Sequence, residues 1–136
     1  TLEISPGPLT SAIGSVSAAA GANYVLNLDA GIPLAGMGYL LGGSATGYWP
    51  GAFYQGFTIP LVFDSYTDFS LLFGGGWPYS GFSGTLDVNG VASASISIPP
   101  GLTSLVGTTY YHAGVVYDGA GNILRATNAV PLTIVP

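Results

Sequence analysis

Few residues in this chain are equipped for acid–base, nucleophilic or metal chemistry, and they are scattered. The 136 residues include one His, one Arg, no Lys and no Cys, and the six carboxylates are Glu3, Asp29, Asp64, Asp68, Asp87 and Asp118. His112 sits inside the strand-like run Tyr110-Tyr111-His112-Ala113-Gly114-Val115. A Ser–His–Asp site needs a nucleophile elbow of the form Gly-x-Ser-x-Gly, and Gly42-Gly43-Ser44-Ala45-Thr46-Gly47 has the wrong spacing. The expectation for His112 is therefore a packed or hydrogen-bonded strand histidine. Asp64 and Asp68, four apart around Ser65-Tyr66-Thr67, suit a loop that holds calcium through oxygen ligands, or one half of a carboxylate acid/base pair. Turn-forming Asp is the competing reading. Asp118 and Asn122, across Gly119-Ala120-Gly121, read as a hairpin turn, and Asp87-Val88-Asn89-Gly90 lacks the further oxygens of a calcium loop. No P-loop, dinucleotide fingerprint or His-based metal spacing occurs. No catalytic residue is assigned; calcium at Asp64 and Asp68 is the one cofactor left open, and no enzymatic activity is expected.

Two aromatic loops carry a different potential. Tyr48-Trp49-Pro50-Gly51-Ala52-Phe53-Tyr54-Gln55-Gly56-Phe57 and Gly76-Trp77-Pro78-Tyr79-Ser80-Gly81-Phe82 hold both tryptophans, and both read Trp-Pro, then Tyr, then Gly-Phe. Trp and Tyr give large contact area at low entropy cost, which suits a subunit interface. Stacking on sugar rings and packing over the end of the domain are the alternatives. Glycan recognition also needs convergent polar groups, and only Gln55, Ser80 and the tyrosine hydroxyls are near. The interface candidates in these loops are Tyr48, Trp49, Phe53, Tyr54, Trp77, Tyr79 and Phe82. Leu2 and Ile4 join them: Thr1-Leu2-Glu3-Ile4-Ser5 alternates, and Pro6-Gly7-Pro8 separates it from the rest. Such a strand pairs either within its own sheet or along a neighbour's edge by strand addition.

The elements that position these residues read as strands. Gly (22) and Pro (10) punctuate the chain, and no window of a dozen residues keeps a 3.6-residue apolar period. Strands are expected at Tyr24–Asp29, where apolar and polar residues alternate, at the short apolar run Gly38–Leu41, and at Phe57–Leu61, Thr85–Val88, Val91–Ile98, Thr108–Asp118, Ile123–Thr127 and Val130–Val135. Asn89-Gly90 between alternating runs predicts a type I′ hairpin. About eight to ten short, mainly antiparallel strands predict an all-β, jelly-roll-like sandwich. Residues 1–8 form the terminal strand and hinge, and residues 9–136 form one β-sandwich domain.

Composition narrows the partners. The chain is 5% charged and 49% hydrophobic, with net charge -5 and pI near 4.1. One Arg cannot neutralise a phosphate backbone, so nucleic acid and anionic lipid surfaces are disfavoured. Every apolar run breaks well short of the ~18–20 residues a membrane helix needs, so no insertion is expected. Lacking Cys, the chain has no disulfides, and it fits either redox compartment. An opening of Thr1-Leu2-Glu3 rather than Met fits removal of a secretory signal.

Asn27-Leu28-Asp29-Ala30-Gly31, Tyr39-Leu40-Leu41-Gly42, Pro60-Leu61-Val62-Phe63-Asp64, Gly84-Thr85-Leu86-Asp87-Val88-Asn89-Gly90, Leu105-Val106-Gly107-Thr108-Thr109 and Thr127-Asn128-Ala129-Val130-Pro131-Leu132 together resemble a β-rich domain. That domain recurs in secreted and cell-surface proteins of Planctomycetes-type bacteria. The likeness covers most of the chain after about residue 20 and implies an extracellular β-sandwich without assigned activity. This sequence departs from the pattern in its unusually aromatic Trp-Pro loops. The expectation is a secreted structural protein whose partners are copies of itself, forming a filament, sheath or surface layer. An extracellular glycan- or cell-wall-binding module is the alternative.

Overall fold

The computed structural model describes residues 7–73 and 76–136, so the expectations for Leu2 and Ile4 lie outside the described residues. Among the described residues, strands dominate and form two facing sheets plus a hairpin. The four-stranded sheet runs β1 (Leu9–Ser11), β3 (Ala22–Asp29), β9 (Val91–Ile98), β7 (Tyr79–Ser80). The six-stranded sheet runs β2 (Ser15–Ser17), β12 (Val130–Val135), β10 (Thr109–Tyr117), β4 (Gly38–Ser44), β8 (Ser83–Thr85), with β11 (Ile123–Ala126) also pairing with β10. All of these pairs are antiparallel except β2 with β12. β5 (Ala52–Tyr54) and β6 (Phe57–Ile59) make the hairpin. The chain is an all-β sandwich.

Period-2 alternation places the core. Tyr24, Leu26 and Leu28 of β3 and Ala94 and Ile96 of β9 point inward, where they meet Leu41, Val116, Leu132 and Ile134 from the other sheet. In β10 the buried run His112-Ala113-Gly114-Val115-Val116 breaks alternation because both of its faces are covered. Ala113 and Val115 lie under Ile59, Leu61 and Leu71.

β11 and β12 follow one another along the same side of β10, opposite β4. The jog between them turns Asn128 inward, 4% exposed. There its amide acts as a strand partner for the other sheet. Leu9 N donates to Asn128 Oδ1 at 2.9 Å, and Asn128 Nδ2 donates to Leu9 O at 2.8 Å. Truncation to Ala strands a buried donor and a buried acceptor, each costing about 1–3 kcal/mol. Urea denaturation of Asn128→Ala should show a loss of about 3 kcal/mol. Asn128→Asp should lose at least as much, because its second oxygen would face the Leu9 carbonyl. Wild-type stability in both variants would remove this account of how the sheets are joined.

Three sequence expectations change. First, Asn89-Gly90 does not make a type I′ hairpin. Gly90 has φ 74 while Asn89 is not in the positive region, and the flanking strands β8 and β9 belong to different sheets. The turn therefore carries the chain across the sandwich. The type I′ hairpin is instead Gln55-Gly56 between β5 and β6, with φ of 51 and 80. Second, residues following Asp64 form a helix, α1 (Ser65–Phe73). At nine residues it is too short to show a sustained 3.6-residue apolar period. Third, the strand expected at Thr85–Val88 is β8, at Ser83–Thr85, because Asp87 opens the turn instead.

Candidate interaction surface

Asp64 anchors α1. It stands before the first helical residue and caps it. Asp64 Oδ1 accepts from Thr67 N at 3.0 Å, while Asp64 N donates to Thr67 Oγ1 at 3.0 Å, a reciprocal cap. Oδ2 accepts from Ala45 N (2.9 Å), Thr46 N (2.9 Å) and Thr46 Oγ1 (2.7 Å), tying the helix to the end of β4. Burial pushes this carboxyl up, but the hydrogen bonds from Thr46, Thr67 and Ala45 outweigh it and hold the pKa at about 2. Both oxygens are thus occupied by donors of the chain itself. Asp68 is exposed one turn into the helix. The pair expected as a calcium loop is a helix start, because Asp at this position satisfies free N–H groups better than a turn would.

α1 delivers Tyr66 into the sandwich. Its hydroxyl lies 2.8 Å from His112 Nε2, and Gly43, level with His112 on β4, supplies the space. A Cβ on Gly43 would come within 2.4 Å of the Tyr66 ring. His112 is fully buried, edge-on to Phe82 and Tyr66, and Nδ1 has no hydrogen-bond partner. An unpaired buried N–H is rarer than an unpaired acceptor, which favours the tautomer with the proton on Nε2, shared with the Tyr66 oxygen. Burial depresses the imidazole pKa to about 4, so the ring is neutral at pH 7. Burial, then the neighbouring Tyr79 and Tyr110, raises the Tyr66 phenol above its ordinary range. Burial likewise raises Tyr24, whose hydroxyl makes no bond of good geometry; the nearby Ser11 hydroxyl tempers the rise but donates to Ile13 O. His112 is the packed strand histidine that its sequence context suggests.

Beside Tyr66 the sandwich is open. A cavity of about 430 Å³ lies between the sheets where β9 ends and β10 begins. Leu132 and Ile134 form its floor, and Ile98 and Leu105 are among its walls. Phe69 and Trp77 stand at its lip. Among the described residues no charged side chain lines it, and the side-chain polar groups are Ser97 and tyrosine hydroxyls. These lining residues are far apart in sequence. The one local signal for them was Asp64-x-x-Thr67, a cap that starts a helix carrying Tyr66 and Phe69 at a spacing of three.

The Trp-Pro loops divide. Trp77 is 74% exposed, but Tyr79 and Phe82, expected at an interface with it, are buried in the core. Tyr79 is on β7, paired with Ile96, and packs edge-on against Phe82 at 4.8 Å. They belong to the sandwich because the chain re-enters the sheet immediately after Pro78. The other loop stays outside. Trp49, Phe53 and Tyr54 are 72%, 80% and 56% exposed. Tyr48 is half-buried against Tyr111, with ring centroids 5.3 Å apart. Both Trp–Pro peptide bonds are cis. Gln55 holds this hairpin down: Ile123 N donates to its Oε1 at 2.7 Å, and its Nε2 donates to Gly121 O at 3.2 Å.

No family model matches this chain, and no curated protein matches it. Among solved structures it is similar to the ASH / PapD-like domain of human CEP192 (PapD-like domain 7). The two are 12% identical, the match covers 94% of this chain and 85% of that chain, and the TM-score is 0.37. The sandwich assignment stands on the strand pairing of this chain.

Proposed function

We propose that this protein is a structural protein of the cell exterior that assembles with copies of itself into a filament, sheath or surface layer. The observation that carries the reading is the hairpin that holds Trp49, Phe53 and Tyr54 in solvent while Gln55 pins its turn to the sheet. Exposed aromatics on an ordered support are interface anchors: they bury much area and lose little freedom. The rest of the chain is consistent with close approach of copies. It has a single Arg and no Lys, so the charged side chains that keep sheet edges apart are scarce. Glycan binding is the weaker alternative, because both ends of the Gln55 amide are engaged within the protein.

Sedimentation velocity with electron microscopy tests this. The wild type should form regular assemblies as concentration rises. Trp49→Ser with Phe53→Ser should keep the fold, since both side chains are exposed, and weaken association by at least ~30-fold, the size of one hot-spot loss of about 2 kcal/mol. A wild type that stays monomeric at high concentration, with tryptophan fluorescence that responds to glycans, would replace this reading by the glycan-binding one.

A further inference from the structure

We infer that the apolar groove between the sheets receives Leu2 and Ile4 of a second copy of this chain, so that subunits join head to tail. The inference rests on the self-assembly reading and specifies its contact. The groove sets the chemistry of its occupant. Its floor is Leu132 and Ile134, Trp77 stands at its lip, and among the described residues no charged side chain lines it. A cavity of about 430 Å³ between two sheets exposes core side chains that would otherwise be closed over. An extended segment that presents aliphatic side chains on one face fills such a space and keeps its polar residues out. Thr1-Leu2-Glu3-Ile4-Ser5 has that pattern: at period 2, Leu2 and Ile4 share one face and Glu3 takes the other.

The β9 wall of the groove in the same molecule is out of reach of Ile4. Pro8 O accepts from Asp29 N at 2.8 Å, so the described chain enters level with Asp29, which pairs with Val91. From Val91 the groove residues Ile96 and Ile98 lie five and seven residues along β9, about 17 and 23 Å at ~3.3 Å per residue. β1 and β9 flank β3, so roughly 10 Å of sheet width is added. Ile4 precedes Pro8 by four residues and can lie at most ~14 Å from it. Leu9 pairs with Leu28, so stepping back from Leu9 to Pro8 moves toward Asp29 and away from the groove. The entry point and the groove thus lie toward opposite ends of the sandwich. Contact between the entry end of one copy and the groove end of the next is heterologous, and it gives an open chain where the rotation does not close a ring.

The test uses the full chain and the variant Leu2→Asp/Ile4→Asp, with circular dichroism to check the fold. The wild type should sediment as an open-ended series of species, and the folded variant as a monomer, with association weakened at least ~100-fold. A dye-labelled peptide, Thr-Leu-Glu-Ile-Ser, should raise its anisotropy on binding the variant. A peptide with Asp in place of Leu and Ile should not bind, and Leu102→Asp in the groove wall, added to the variant, should abolish the rise. If the double variant assembles like the wild type, the inference is overturned while self-assembly stands. If the wild type is monomeric, the self-assembly reading falls and the inference, which rests on it, falls with it. Loss of the native spectrum in the double variant would tie the segment to its own fold and overturn it. Binding of a fatty acid without binding of the peptide would assign the groove to an apolar small molecule and also overturn it.

Discussion

Lowering the pH from 6.5 to 4 should remove about 3 kcal/mol of stability from this protein, and His112→Gln should flatten that slope. The buried imidazole has its pKa depressed from 6.5 to about 4. Between those values the unfolded chain binds a proton that the folded chain refuses. Unfolding is therefore driven by acid throughout the window, and stability is constant above it with respect to this group. The groups facing His112 do not blur the signal. Tyr66 and Tyr24 are phenols raised by burial and stay neutral from pH 4 to 6.5. Asp64, which caps the helix carrying Tyr66, is depressed from 3.8 to about 2, so its contribution is present above 3.8 and is lost only as pH falls from there toward 2. Urea denaturation at closely spaced pH should thus show two separate declines. His112→Gln should abolish the upper one and leave the lower. An unchanged slope in the variant, or a flat wild type, would show that burial of this imidazole is not what acid attacks.

The uneven legibility of this fold follows from element length and contact range. β9 and β3 could be read because each runs eight residues with one face buried, so Tyr24, Leu26 and Leu28 alternate visibly with polar neighbours. β1, β2, β5 and β7 have two or three residues each, too few to show a period of two. α1, at nine residues, has barely two turns, and its sharpest signature is the Asp64–Thr67 cap, which also resembles an oxygen-rich loop. The two Trp-Pro loops look alike in sequence. They differ because Pro78 is followed at once by sheet pairing to β9, which buries Tyr79, whereas Phe53 and Tyr54 pair only with β6 in a hairpin outside the sandwich. The groove was invisible for a different reason. Phe69, Ile98 and Leu132 share nothing local and are brought together only by the pairing of β10 with β12 and the docking of α1.

Gly90→Ala should destabilise the protein by about 4 kcal/mol, while Gly121→Ala should cost about 1–2 kcal/mol, although each replaces a glycine at the same position of the same type of turn. The two turns have matching bonds. Asp87 Oδ1 accepts from Asn89 N and Val91 N, Gly90 N donates to Asp87 O, and Asp87 N donates to Val91 O. Asp118 Oδ1 accepts from Ala120 N and Asn122 N, Gly121 N donates to Asp118 O, and Asp118 N donates to Asn122 O. In each case the glycine is left-handed, with φ 74 at Gly90 and 84 at Gly121. The backbone strain added by Ala is therefore similar, about 1–2 kcal/mol. The surroundings differ. A Cβ on Gly121 meets nothing within 4 Å, whereas one on Gly90 would lie 1.9 Å from Gly31 O and 2.5 Å from Gly31 C. Gly31 belongs to the β3–β4 connection, and backbone cannot rotate aside as a side chain does. Relief requires moving the turn, which also disturbs the 2.9 Å bond from Ala30 N to Gly90 O. Overpacking of this kind adds about 1–3 kcal/mol. Because the Asp87–Val91 turn and the β3–β4 connection both carry the chain between sheets at this end, Gly90→Ala should also speed hydrogen exchange at Ala30 N. Equal losses in the two variants, read from urea midpoints at pH 7, would leave only the left-handed strain and remove the close approach from the account of how this end of the sandwich is held.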